Sequence, residues 1–447
     1  MKRLFLFMMA AAAVVAACNV VPVPVPVPVD PDKPEVPSVD DPITLTSPQP
    51  VEYINSVSLN AVQTGYVDAG NQFAFNCLSK LFAAESASMV FSPLSLQYAL
   101  AMAVNGASGE TAAEITKALG YGTDLNALNE YCNLLLKQLP AVDKDVNLNL
   151  SDIMMVQDKY PLLDSFRGTL NDTYYAPVEY FSFSNKKYVA DRINEWAYRN
   201  TNGLIFPMVD ETDISDELIA VIMNALYFKA AWAKTGRIPM FTEEGTMKQQ
   251  PFYLDGGGKA VVDLMPNSSY LPYAERDDYQ IVSIPYASGK YCMYVLLPKV
   301  SGKDGLTKLV AKLPSENWKE VTSSMTNETL VHLRIPKFTT ASEFKLVPTM
   351  KALGIQRAFT PAAQFDQMFV SSDLSVLIGN IIQKAKISVA EWGTEAAAVT
   401  MVEIDGSDGP PSEKPKEVNF YADHPFVYVI AEQTSGAILF EGTFDGK

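Results

Sequence analysis

The chain has 447 residues, of which 48% are hydrophobic and 11% aromatic, ample for a large buried core. A formal charge of −16 works against nucleic acid, anionic lipid surfaces and polyanions as partners. Beyond Cys18, three widely scattered cysteines, Cys77, Cys132 and Cys292, make neither a disulfide framework nor a metal cluster, and two histidines leave few enzyme chemistries open.

The chain begins like an export signal. Lys2 and Arg3 form a charged start, residues 4–15 an apolar stretch, and Val15-Ala16-Ala17-Cys18 a small-residue end. Small residues directly before a cysteine resemble the lipobox of bacterial lipoproteins, in which the thiol is acylated and the preceding peptide removed. Residues 1–17 are therefore read as a lipoprotein signal peptide and Cys18 as the lipidated residue. The alternatives are a plain signal peptide or a short membrane anchor, although the apolar run falls short of the ~20 residues that span a bilayer. The expected location is exported and lipid-anchored to a bacterial membrane, periplasmic or at the cell surface.

Residues 18–52 form a Pro-rich linker. Val and Pro alternate over residues 21–29, and Pro31, Pro34, Pro37, Pro42, Pro48 and Pro50 follow. Such a segment adopts extended polyproline conformations at about 3.1 Å per residue, so it could hold a domain on the order of 100 Å from its anchor. The other reading is a proline-rich ligand for a binding module.

From residue 53 the chain reads as one large α+β domain, with no second linker and no internal repeat. Phe73, Cys77 and Leu81 share one face of an expected helix. In Val90-Phe91-Ser92-Pro93-Leu94-Ser95-Leu96, Ser92 suits an N-cap, Pro93 the first helical position, and residues 94–102 an apolar stripe. Gly106 and Gly109 punctuate the passage to the next helix. Residues 224–232, Asn-Ala-Leu-Tyr-Phe-Lys-Ala-Ala-Trp, have strand propensity. Ile284-Pro285-Tyr286 and Met293-Tyr294-Val295-Leu296-Leu297-Pro298 read as a hairpin, and His332 falls in the alternating strand Val-His-Leu-Arg-Ile. No His-Glu-x-x-His, Gly-x-Ser-x-Gly or phosphate-binding loop is present, so no catalytic site and no cofactor or metal site is expected.

Residues 391–405 alternate again. Thr394, Ala396, Ala398, Thr400, Val402 and Ile404 are small or apolar, whereas Glu395, Glu403 and Asp405 fall between them. The pattern stops at Gly406-Ser407-Asp408-Gly409-Pro410-Pro411, which cannot continue a paired strand. By itself the segment also fits a small-residue helix or an ordinary strand.

Glu391-x-Gly393-Thr394-Glu395-Ala396-Ala397-Ala398-x-Thr400 resembles the reactive-loop hinge of the serpins, protease inhibitors that insert this loop into their main sheet. The segments quoted above, together with Asn194-x-Trp196, Leu333-Arg334-Ile335-Pro336, Asp423-His424-Pro425-Phe426 and Gly436-x-Ile438-Leu439-Phe440, fall in that family's order. The resemblance implies a serpin domain over residues 53–447: about nine helices around three β-sheets, with an exposed reactive loop. It implies a monomer that is no enzyme and carries no cofactor, and whose partner is a serine, or a cysteine, protease held in a covalent complex. Asn224 would hold the sheet's opening, Trp232 would cover the point where insertion starts, and Ser92 and Ser95 would lie beneath. Gln383 stands where members often carry a histidine. A serpin-fold binding protein that does not trap is the alternative. The hinge residues 394–404 carry no charge at even positions, as insertion requires.

Sixteen residues beyond Glu391, the spacing typical of the family, lies Ser407, giving Ser407–Asp408 as the reactive bond. Counting back from the C-terminal strands reaches about Lys414 instead. The hinge count is preferred, because trapping depends on how far the inserted strand pulls the acyl bond.

Overall fold

The computed structural model describes residues 3–13, 52–85, 87–235, 237–254, 257–371, 374–394 and 416–447. The polyproline linker, Cys18 and residues 395–415 lie outside them.

In chain order, strand β1 (Arg3–Ala13) is followed by helix α1 (Ala61–Glu85), β2 (Met89–Phe91), α2 (Pro93–Asn105), α3 (Gly109–Leu119) and α4 (Leu125–Gln138). Next come β3 (Val146–Gln157), α5 (Asp164–Tyr174), β4 (Val178–Phe181), α6 (Lys186–Asn200) and β5 (Leu218–Ala231). A run of strands follows: β6 (Lys234–Thr235), β7 (Ile238–Pro239), β8 (Met247–Tyr253), β9 (Lys259–Tyr270), β10 (Tyr273–Glu275), β11 (Tyr279–Tyr286) and β12 (Tyr291–Pro298). Helices α7 (Lys303–Lys312) and α8 (Trp318–Ser323) lead to β13 (Thr329–Pro336), β14 (Phe338–Lys345) and α9 (Val347–Ala352). The chain closes with β15 (Ser375–Ala390), β16 (Gly393–Thr394), β17 (Lys416–Tyr421), β18 (Phe426–Glu432) and β19 (Ile438–Phe444).

Nine α-helices among the described residues thus surround three main sheets, of seven, six and four strands, as expected for the fold class. The seven-stranded sheet carries β14, β15, β5, β3 and β4, with β1 and β16 both lodged between β15 and β5. The expected hairpin is present as β11 and β12, antiparallel in the six-stranded sheet.

β5 explains the thickness of the molecule. Ile222, Leu226 and Phe228 join the large core shared with α1 and α2, whereas Val221, Met223, Ala225 and Tyr227 join a second core beneath α6. A strand buried on both faces is apolar without alternation, which is how this segment reads. The strand starts earlier than expected, at Leu218, and Trp232 lies just past its end.

Ser92 caps α2 as expected, its Oγ accepting from the Ser95 N–H, and Pro93 opens the helix. The apolar stripe expected on α2 is a correction: every residue from Pro93 to Val104 is buried. The helix passes through the middle of the fold between β5 and β19, so it has no wet face.

Candidate functional site: the opening in the central sheet

The opening between β15 and β5 is one strand wide. At its mouth the chain leaves β15, turns, and re-enters as β16, antiparallel to both walls: Thr394 pairs with Val389 and Ala230, and Gly393 with Ala390 and Ala231. Below, β1 runs parallel to both walls, pairing with residues 375–385 of β15 and 218–227 of β5. Two segments from opposite ends of the chain thus share one slot.

The mouth is tightly built. Thr394 is fully buried, its hydroxyl hydrogen-bonded to that of Tyr286. Gly393 has φ 145°, and a Cβ there would lie 2.1 Å from the Ala230 carbonyl oxygen, so the position needs glycine. Trp232 stacks on Tyr286, with ring centroids 4.4 Å apart, and its indole N–H donates to the Ala390 carbonyl at 2.7 Å. Its backbone N–H donates to the Trp392 carbonyl at 3.2 Å. The indole thereby fastens the last residue of β15 beside β16.

Glu391 is buried, although the alternating pattern does not mark it as an inward position. Its carboxylate takes Lys337 Nζ at 2.8 Å and the Thr246 hydroxyl at 2.7 Å. Burial works to raise its pKa, but Lys337 and Thr246 outweigh that and hold the carboxyl below its ordinary range. Trp392, for which the sequence offered no rationale, is 46% exposed and lies beneath Lys337, whose Nζ is 5.8 Å from the ring centroid. The hinge is therefore anchored by Glu391, a tryptophan and a glycine before any loop residue enters.

Midway down, Asn224 on β5 and Gln383 on β15 are level, both opposite Ala10. Gln383 clasps the start of α2: Ser92 N donates to its Oε1 and its Nε2 donates to the Ser92 carbonyl, both at 2.9 Å. The Ser92 hydroxyl donates to the Leu439 carbonyl at 2.9 Å and lies 3.1 Å from Ser95 Oγ. Asn224 turns the other way, donating to Asp152 of β3 at 2.8 Å. Ser92, Ser95, Asn224, Trp232, Gln383, Glu391, Gly393 and Thr394 are thus gathered along one opening. Glu395, Ala396, Ala397, Ala398, Thr400, Ser407 and Asp408 lie outside the described residues. Sequence reasoning missed Asp152, whose signal was a carboxylate at an inward position between Leu150 and Met154.

Ser268, His332 and Glu417 line up across β9, β13 and β17, with His332 Nδ1 3.0 Å from Ser268 Oγ and Nε2 3.4 Å from Glu417. They sit on an exposed sheet face, where water competes for every group, and this arrangement does not build a catalytic pocket.

Comparison with known proteins defines the class. The serpin (serine protease inhibitor) family profile matches residues 68–445. The chain belongs to the serpin family, whose members are in general protease inhibitors. An uncharacterized serpin-like protein of Thermococcus kodakarensis is 32% identical over 378 residues, covering 84% of each chain. The solved serpin48 of the insect Tenebrio molitor, described as highly specific, is 27% identical with a TM-score of 0.72, covering 85% of this chain and 97% of that one. Human thyroxine-binding globulin, solved with its hormone, shares the fold at a TM-score of 0.72 and 24% identity, covering 86% and 98%.

Proposed function

We propose that this serpin is a suicide inhibitor of serine, or cysteine, proteases, which traps the acyl-enzyme by inserting its cleaved loop between β15 and β5. The observation that carries this reading is the one-strand slot with the hinge already started in it. Thr394 sits opposite Ala230, and each further loop residue would advance one position along β5 toward Leu218. Continued in that register, Thr400 would arrive between Asn224 and Gln383, and Gly406 opposite Leu218, where β5 begins. The even residues would face the core that already takes Phe228, Leu226 and Ile222. The slot length therefore supports Ser407–Asp408 as the reactive bond, one residue past the last paired position.

The energetic logic is that of a metastable fold. Cleavage frees a strand that completes a ladder on both walls and buries its small residues, and the acylated protease is dragged with it. The inserted strand would be antiparallel to both neighbours, a slightly more stable pairing than the parallel one β1 makes.

The same proposal assigns residues 1–17 as a leader removed at a lipidated Cys18, with residues 18–52 as spacer to a membrane. Its removal would take β1 out of the slot, so a chain retaining residues 1–17 would trap protease poorly. Mass analysis of the exported protein tests this: a lipid-bearing N-terminal Cys18 supports it, and an intact Met1 contradicts it.

Melting of the intact and loop-cleaved protein tests the main reading. Insertion should raise the midpoint sharply, because the relaxed state gains a full strand of backbone bonds and apolar burial. Equal midpoints would favour a binding protein that does not trap, the reading for which thyroxine-binding globulin is the structural parallel.

A further inference from the structure

Asp152 and Asn224 face each other directly across the β3–β5 pair, and both are buried, at 1% and 0% exposure. Asn224 Nδ2 donates to Asp152 Oδ1 at 2.8 Å. The second oxygen of each side chain, Asp152 Oδ2 and Asn224 Oδ1, has no hydrogen-bond partner. A carboxylate and an amide carbonyl only accept, so as long as Asp152 is ionised two acceptors stand unsatisfied in the wall of the opening. One proton resolves both. Carried on Asp152 Oδ2, it is donated to Asn224 Oδ1 while Asn224 Nδ2 keeps its bond to Oδ1, closing an acid–amide ring.

We propose that the Asp152–Asn224 pair is a proton-gated clasp on the wall of the opening, shut when Asp152 is protonated and released when it ionises. Asn224 lies on the strand that lines the slot and is level with Gln383, so the clasp acts midway along the path a strand must take.

The surroundings fit a carboxyl that holds its proton. The titratable groups that feel the charge of Asp152 are Tyr98 from α2, Cys132 from α4 and Tyr174 from α5, all buried and kept neutral by burial. None supplies a positive charge. Burial pushes the Asp152 carboxyl up to about 7, and the bond from Asn224 pulls the other way. The folded pKa is raised above the unfolded value of about 3.9. The clasp's contribution is therefore complete below about pH 4, is lost as pH rises through 7, and changes no further above that.

Amide hydrogen exchange of β5, corrected for its intrinsic pH dependence, tests this without any protease, so its outcome is separate from that of trapping. Between pH 6 and pH 8 the wild type should open about ten-fold more often, as a group of pKa near 7 requires. Asp152→Asn closes the same ring with an amide N–H and has no proton to lose on opening, so its exchange should be flat with pH and lie below the wild-type level at pH 6. A flat wild-type profile, or an Asp152→Asn profile with the wild-type slope, overturns the proposal. Carbon-13 titration of labelled aspartates in the wild type gives a second reading that needs no variant. One carboxyl titrating near 7 supports the clasp, and ionisation of every aspartate below pH 5 overturns it.

Discussion

Asn224 and Gln383 stand level across the opening of the central sheet, yet each is bonded away from it, Asn224 to Asp152 and Gln383 to the backbone of Ser92. Each wall of the slot is thus tied to its own half of the molecule, β5 to β3 and β15 to the start of α2. At this level parting the sheet separates two braced units, and the side-chain bond that joins the walls lies at the mouth, from the Trp232 indole to the Ala390 carbonyl.

Gln383→Ala removes two buried hydrogen bonds and leaves the Ser92 N–H unpaired, while the Ser92 carbonyl keeps the N–H of Leu96. The intact protein should lose about 1–3 kcal/mol, the cost of one orphaned buried group. Urea unfolding measures this, and an unchanged midpoint would mean that Gln383 does not brace the opening.

Thr394→Arg should turn the inhibitor into a substrate. The threonine is fully buried against Tyr286, and a guanidinium there would be taken out of water. An uncompensated buried charge costs about 3–5 kcal/mol, so the variant hinge is driven from the mouth already in the intact protein. Insertion must bury that charge again and fails, while the loop is still cut. The number of inhibitor molecules consumed per protease trapped should rise at least about ten-fold, as more than 1.4 kcal/mol in the partition between trapping and turnover requires. A wild-type stoichiometry would rule out insertion through this mouth.

Lys337→Met should weaken the hinge in a pH-dependent manner. The Glu391 carboxyl has a depressed pKa, so its pairing contributes above the ordinary glutamate value and is lost as pH falls through the lower folded value. At pH 7 the variant leaves Glu391 ionised and half-partnered, at a cost of about 3 kcal/mol. The difference from wild type should shrink as pH falls below the ordinary glutamate value, as each carboxyl takes up its proton. Thermal midpoints at pH 7 and pH 3.5 read the effect, and an equal deficit at both pH values contradicts it.

Local rules made much of the fold legible. Ser92 and Pro93 announced the start of α2, the Tyr286 and Met293 segments their hairpin, and residues 224–231 their strand. Tertiary packing hid the rest. The full burial of α2 depends on sheets that close over it from distant parts of the chain. The burial of Glu391 could not be read from the sequence, because its partners, Thr246 and Lys337, come from distant segments of the chain. Trp392 had no rationale until Lys337 was seen above it, and Asp152 acquired meaning only opposite Asn224. The pairing of residues 3–13 within the slot was invisible to any periodicity, because a short apolar run fits a leader and a buried strand equally well.

The most direct test of the account is incubation of the mature protein with an elastase- or subtilisin-like protease, followed by denaturing electrophoresis and mass measurement of the released C-terminal peptide. The account predicts a complex that survives boiling in SDS and a peptide beginning at Asp408, give or take two residues. Cleavage with no stable complex would contradict trapping, and a stable complex that releases a peptide beginning at Pro415 would contradict the register in which the slot ends at Leu218.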